Sequence, residues 1–349
     1  MAKKKKSISS ILLTVLIVSG ILLGAAGYKL YEDVLGNNIN LEENETGYVY
    51  VYTRLNFEEN MQVMESRGML NNTASLKRLL SLTGYADLIK PGKYKVHKGM
   101  NNLALMRMLV GGTQVPFDVV FKQANRKEDL IRFFSTQLEC DSNELYAMFV
   151  DASFCAKLGF DTANMVSMFI PNTYNFYWNT SADELMERFK IEYDKFWNDA
   201  RKQKAEQLGL TPLQVSVLAS IVQKETYQKN EMSTVAGVYL NRLKRGMPLQ
   251  ADPTLLFIAN NPQIKRVGGK LLELESPYNT YKYKGLPPGP ICMPNSFTID
   301  AVLSTKPHSY LYFCAREDLS GYHNFAASFL QHQRNAARYQ RMLNQKGIK

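Results

Sequence analysis

Eighteen consecutive uncharged residues, ILLTVLIVSGILLGAAGY from Ile11 to Tyr28, constrain this chain more than any other stretch. At about 1.5 Å per residue such a helix covers roughly 27 Å, and Ser7–Ser10 can extend it across a hydrocarbon core of about 30 Å. Lys3, Lys4, Lys5 and Lys6 precede the run. They hold residues 1–10 in the cytoplasm, while Tyr28 and Lys29 suit the far interface. The expectation is a single-pass helix at 11–28 in the cytoplasmic (inner) membrane, with the body of the chain outside the cytoplasm. Gly24-Ala25-Ala26 also fits a signal-peptide cleavage site, but the apolar run is longer than a signal core, and the anchor is preferred. No Cys directly follows the run, so lipid attachment at a cleaved signal has no acceptor.

The body is ordinary in charge. The chain carries 42 basic and 32 acidic residues, a net +10, and the first 30 residues supply five of those positive charges. The remaining excess suits a neutral or partly anionic partner, and no basic run with interleaved aromatics points to nucleic acid. Cys140, Cys155, Cys292 and Cys314 form no CxxC pair and read as small buried thiols, although an even count in an exported chain leaves disulfides open. His97, His308, His323 and His332 are scattered, so a zinc site, which needs a tighter cluster, is not expected.

Residues 29–44, rich in Asn and Glu, read as a linker, and two modules follow at 45–115 and 116–349. In the first, "YVYVYT" from Tyr48 reads as a strand. Asn56 and Glu59 form a capping box for a helix carrying Phe57, Met61 and Met64, ended by Gly68. A second amphipathic segment starts at Ser75, a strand at Pro91, and a helix in "NNLALMRMLVGG". In the second module "FDVVF" (117–121) opens as a strand. A helix capped at Ser181 runs to about 206, "YLYFCA" (310–315) is a strand, and a polar, basic helix begins near Ser328. The fold class is α+β.

Thr211-Pro212-Leu213-Gln214 marks a helix start, with an N-cap, a Pro at the first helical position and a completed capping box. From there Leu218, Ile221, Val222 and Glu225 fall at i, i+3, i+4 and i+7, which sets a carboxyl on an aliphatic face. Glu225 also sits near the helix C-terminus, where the macrodipole opposes an anion. Both effects raise a carboxyl pKa and poise it as a general acid. The plain alternative is a solvated acid at a helix end. The next helix shows an apolar stripe of Met232, Val235, Ala236, Tyr239 and Leu243, ended by Gly246. "GMPLQADPT" then reads as a polar loop with Gln250, Asp252 and Thr254, and "SPYNTYKYKGLPPGPICMPN" supplies Tyr278, Asn279 and Tyr281. Aromatic, amide and carboxyl groups together suit sugar rings, their hydroxyls and acetamides.

Four stretches, "ASIVQKET", "VYLNRLKRGMPLQADPT", "YNTYKYKGLPPGPI" and "YLYFCAREDLSGYHNF", together resemble the endolytic murein transglycosylase (YceG-like) family over about residues 116–340. "IKPGKYKVHKGMNNLALMRMLVGG" looks like that family's LysM-like subdomain. The resemblance implies an N-terminal transmembrane helix, a small LysM-like α/β subdomain at 45–115 and a larger α+β catalytic domain at 116–349. It implies a lyase that cleaves between N-acetylmuramic acid and N-acetylglucosamine within peptidoglycan glycan strands, forming a 1,6-anhydro ring and terminating nascent strands. Glu225 falls on the family's catalytic acid. Gln223 and Asn172 stand where the family usually has acids, which bears on whether the chain is active. The candidate substrate-binding residues are Gln223, Asn241, Gln250, Asp252, Thr254, Tyr278, Asn279, Tyr281 and His323. Implied partners are glycan strands, the membrane and cell-wall synthesis proteins. The competing readings are an impaired glycan-binding scaffold and a hydrolytic muramidase.

Overall fold

The computed structural model describes residues 8–261, 263–264 and 267–347. The lysine run and the rest of the expected cytoplasmic segment up to residue 7 lie outside the described residues. The chain divides into two compact units, Met1–Asp118 with Asn175–Thr180, and Val119–Tyr174 with Ser181–Lys349.

In the first unit the N-terminal apolar run forms α1 (Ile8–Leu35). It continues past Tyr28 because nothing terminates it before Gly36, where a Cβ would meet the Glu32 carbonyl oxygen at 2.5 Å. The helix is long and apolar enough to cross a membrane. Residues 29–44 are not a free linker. They continue as helix to Leu35, then form bridges from Asn37 to Asn101 and from Ile39 to Leu70. Ile39 is in the core. The Asn38 amide donates to Asn72 O (3.0 Å) and Asn102 Oδ1 (2.6 Å), and Asn38 Oδ1 accepts from Asn72 N (2.7 Å). Asparagines that read as loop composition are buried amides satisfying one another.

Strands β1 (Thr46–Val51) and β2 (Gly92–His97) pair antiparallel, with Val49 opposite Tyr94 and Val51 opposite Gly92. Alternation sends Val49, Val51, Tyr94 and Val96 inward. There they meet Met61 and Met64 of α2 (Phe57–Ser66), Leu76 and Leu80 of α3 (Thr73–Leu82), and Leu105 and Leu109 of α4 (Asn102–Gly111). The expected capping box of Asn56 and Glu59 is present. Helix α3 starts two residues before Ser75, because Asn72 is the cap and Ser75 N donates to its side chain. Trp178 stands edge-on to Tyr50 and Tyr52 on the outer sheet face, at 4.9 and 4.8 Å between ring centres.

Strand β3 (Phe117–Phe121) pairs with β4 (Asn172–Phe176), and the division between the units falls within both strands. In the second unit α5 (Lys127–Gln137), α6 (Ser142–Val150), α7 (Ala152–Lys157) and α8 (Ala182–Phe196) gather around Phe134, Phe149, Phe169 and Phe189. The helix starting at Ser181 does not run to 206. Trp197 leaves helical geometry, and the Asn198 side chain caps a new helix, α9 (Asp199–Gln207).

A second core joins α10 (Pro212–Glu225), α11 (Met232–Lys244) and α13 (Ser296–Leu303). Between α11 and α13 lie α12 (Asp252–Ala259), in a stretch read as a loop, and an irregular Pro- and Gly-rich segment. A hairpin of β5 (Tyr312–Ala315) and β6 (His323–Ala326), with Phe313 opposite Phe325, carries α14 (Phe329–Gln345) against it. All four cysteines are free thiols, and Cys140, Cys155 and Cys292 are buried.

Candidate active site

Helix α10 begins as its sequence requires. Gln214 N donates to Thr211 Oγ1 (3.2 Å), and Thr211 N donates to Gln214 Oε1 (2.9 Å). Every residue from Val215 to Gln223 is then buried, so α10 is a central helix enclosed on all sides rather than a two-faced one. It ends at Glu225, with Thr226 as the C-cap.

Glu225 is half-buried, at one wall of a cleft of about 290 Å³. Burial pushes its carboxyl up to about 7. A hydrogen bond from Tyr239 and the charge of Arg242 oppose the rise, whereas the neighbouring charge of Asp252 adds to it. The Tyr239 hydroxyl, from α11, donates to Glu225 Oε1 at 2.5 Å. Its ring is buried, edge-on to Phe313 at 5.8 Å. Burial and the adjacent carboxylate hold this phenol well above its ordinary pKa, so it remains a neutral donor.

Arg242 lies one turn beyond Tyr239 on α11 and is buried. Its guanidinium donates to Leu311 O (2.7 Å) and Leu249 O (2.7 Å), with longer bonds to Pro248 O and Gln250 Oε1. This charge ties the 248–250 loop to the entry of β5. Gln250 sits in the left-handed region, at φ 51°, and its backbone N–H donates to Thr280 O (3.0 Å). That turn delivers Asp252 to the first position of α12, where the helix N-terminus favours negative charge. The Tyr281 hydroxyl donates to Asp252 Oδ1. His332 completes the lining, stacked on Tyr312 with ring centres 5.3 Å apart. Burial and the nearby Arg242 lower its pKa, so the imidazole is neutral near pH 7.

Of the residues expected from sequence, Glu225, Gln250, Asp252 and Tyr281 line this cleft. Four others have their polar groups occupied within the protein. Gln223 is two helical positions from Glu225, on the opposite side of α10. Its Oε1 accepts from Asn295 N (2.7 Å) and Thr298 Oγ1 (3.0 Å). Asn279 donates to Leu272 O and Leu274 O and accepts from Tyr281 N, which shapes the loop. Buried Thr254 bonds Ala251 O and Thr280 Oγ1. Asn241 donates to His308 O and Tyr310 O, clasping α11 to the segment before β5. Tyr278 packs against Phe257, ring centres 5.0 Å apart. His323 pairs with Glu231, which accepts from its backbone N–H at 2.9 Å. None of these six lines the cleft. Asn172, the other amide singled out from the sequence, lies outside it as well.

Tyr239, Arg242, Phe313 and His332 line the cleft without having been expected there. Tyr239 carried a signal, since it places a phenol within an apolar stripe, three residues before Arg242. The other two depend on the hairpin and α14 folding back, which no local pattern in the sequence specifies. Among the described residues no cluster of three or more His, Cys, Asp or Glu side chains has the arrangement to hold a metal ion.

A single carboxyl raised to about 7, with a phenol donor and an open cleft beside it, can deliver and take up a proton near neutral pH. That is the equipment of a general acid–base site in an α+β frame. Residues 49–338 match the YceG-like family, and the chain belongs to it. An endolytic murein transglycosylase of Bacillus subtilis (strain 168) is 26% identical, over 75% of this chain and 76% of that protein. One from Streptococcus pneumoniae (strain R6) is also 26% identical, over 91% of this chain. The match spans only 63% of that pneumococcal protein's length. The crystal structure of a yceG-like protein from Listeria monocytogenes shares the fold, with a TM-score of 0.55 at 22% identity, over 84% of this chain and 99% of that one.

Proposed function

We propose that this chain is a membrane-anchored endolytic lytic transglycosylase, acting on the muramic–glucosamine bond within peptidoglycan strands. The observation that carries the reading is Glu225, a half-buried carboxyl at the wall of a polar cleft that accepts the Tyr239 hydroxyl and that burial raises to about 7. Family membership and the names of the curated relatives support the substrate. The N-terminal helix supports action at the membrane on nascent strands, whose elongation each cut would end.

In this mechanism protonated Glu225 gives its proton to the glycosidic oxygen as the bond breaks. The resulting carboxylate, steadied by the Tyr239 hydroxyl, takes the proton from the muramic C6 hydroxyl as that oxygen closes onto the anomeric carbon. Because the nucleophile belongs to the same sugar, its entropic cost is largely met before reaction, and a single carboxyl suffices. Asp252, Gln250 and Tyr281 are the groups available to orient the sugar and face its developing positive charge.

Asp252 favours a second reading. A hydrolytic glycosidase uses two carboxyl groups, one as acid and one as base or nucleophile, and Asp252 shares the cleft with Glu225. Digestion of purified glycan strands in ¹⁸O water separates the two. The transglycosylase yields unlabelled anhydro-ended fragments, whereas label at the new muramic end means hydrolysis. Glu225→Gln should lower product release by about 10²–10⁴-fold while the fold persists. Undiminished release from that variant removes Glu225 from the mechanism, and a wild-type chain without turnover is a binding scaffold.

A further inference from the structure

A larger cavity, of about 520 Å³, opens beside the cleft in the same unit. Their linings adjoin along one seam of the chain. Lys224 and Pro253 line the larger one, and their chain neighbours Glu225 and Asp252 line the cleft. Consecutive Cα atoms stand about 3.8 Å apart, so the backbone joining Lys224 to Glu225 and Asp252 to Pro253 is a wall common to both cavities.

The lining has a definite chemistry. Lys224 and Arg126 are cationic, and no carboxylate lines the cavity among the described residues. Lys224 is exposed and has no ion-pair partner among the described residues. Arg126 lies over the Phe257 ring, at 4.4 Å, and donates to the Phe257 carbonyl, so its guanidinium is held at the wall. Asn125 and Asn260 add amides, and Tyr227 stands at the rim, 96% exposed. Cations, amides and accessible aromatic surface together match a short acidic peptide better than a neutral sugar.

We propose that this cavity is a subsite for the acidic stem peptide carried on the lactyl group of the muramic residue being cleaved. The inference rests on the transglycosylase reading above. If that reading holds, the muramic sugar at Glu225 must direct its peptide out of the cleft, and Lys224 meets a peptide carboxylate across the seam. The subsite makes peptide-bearing strands the preferred substrate.

The test compares two strand preparations of equal length, one with intact stem peptides bearing free carboxylates, the other stripped by an amidase. For the wild type, kcat/KM should be about tenfold higher on the peptide-bearing strands, in line with one charge-assisted contact. Lys224→Glu should erase that ratio, and Lys224→Arg should keep most of it. Equal kcat/KM on both preparations, or a ratio that survives Lys224→Glu, overturns the subsite. Absence of turnover on both preparations overturns the transglycosylase reading instead.

Discussion

At the scale of single residues the site rests on a conflict between burial and charge at Glu225. The helix end and the enclosing protein both oppose an anion, and the Tyr239 hydroxyl partly relieves them. The sign of a change at Tyr239 follows. Its hydrogen bond stabilises ionised Glu225, so Tyr239→Phe should raise the Glu225 pKa beyond about 7. A general acid works while protonated, so activity is present below its pKa and falls as pH rises through it. The descending limb of kcat/KM against pH should therefore move to higher pH in Tyr239→Phe. The rate at the optimum should drop about tenfold, because the carboxylate formed after the first step loses its donor. A limb that stays in place, or moves to lower pH, would separate Tyr239 from the ionisation of Glu225.

At the scale of elements, the helix caps and strand alternations were legible, and the connections between them were not. Thr211, Asn56 and Ser181 each announce a helix through a local side chain bonding its own backbone, and each capping box is present. Asn198 makes the same kind of bond, but it lies inside a stretch of continuous helical propensity, and only the break at Trp197 exposes it as a cap. Likewise Gln223 and Glu225 sit in one short motif, yet two helical positions turn the first toward α13 and the second toward the cleft. A motif read as a string cannot show that divergence. Tertiary approach also explains a glycine in the middle of α11. A Cβ at Gly237 would come within 2.2 Å of His308 Nε2 and 3.0 Å of Thr305 Cγ2. Helix propensity alone favours Ala there by about 1 kcal/mol, but crowding of this kind typically costs about 1–3 kcal/mol. Gly237→Ala should destabilise the second unit on balance, as a lower denaturation midpoint in urea. It should also weaken activity, since the displaced 305–311 segment leads into Phe313 at the cleft. A midpoint equal to or above that of the wild type would show that the segment shifts freely.

At the scale of the whole chain, α1 joins an apolar run long enough to cross a membrane to a folded unit without a flexible break. The helix continues to Leu35, Arg78 pairs with Asp33 at 2.7 Å, and Asn102 donates to the Asp33 carbonyl at 2.7 Å. Buried Asn38 then locks the next residues to α3 and α4. The span is therefore separable from the fold only ahead of Asp33, and a cut at residue 28 preserves these contacts. On the proposed function the anchor acts by concentration. Tethering an enzyme to the surface that carries its substrate sets an effective concentration that free diffusion does not reach. Removal of residues 1–28 should move the protein to the soluble fraction with its unfolding transition unchanged. Its rate on detached strands in solution should match that of the full chain. On lipid-linked strands growing from vesicles, the truncated protein should be slower by about tenfold or more at equal nanomolar concentration. Equal rates on vesicles would mean that the helix does not bring the enzyme to its substrate. A lost unfolding transition would instead show that α1 contributes to the fold ahead of Asp33.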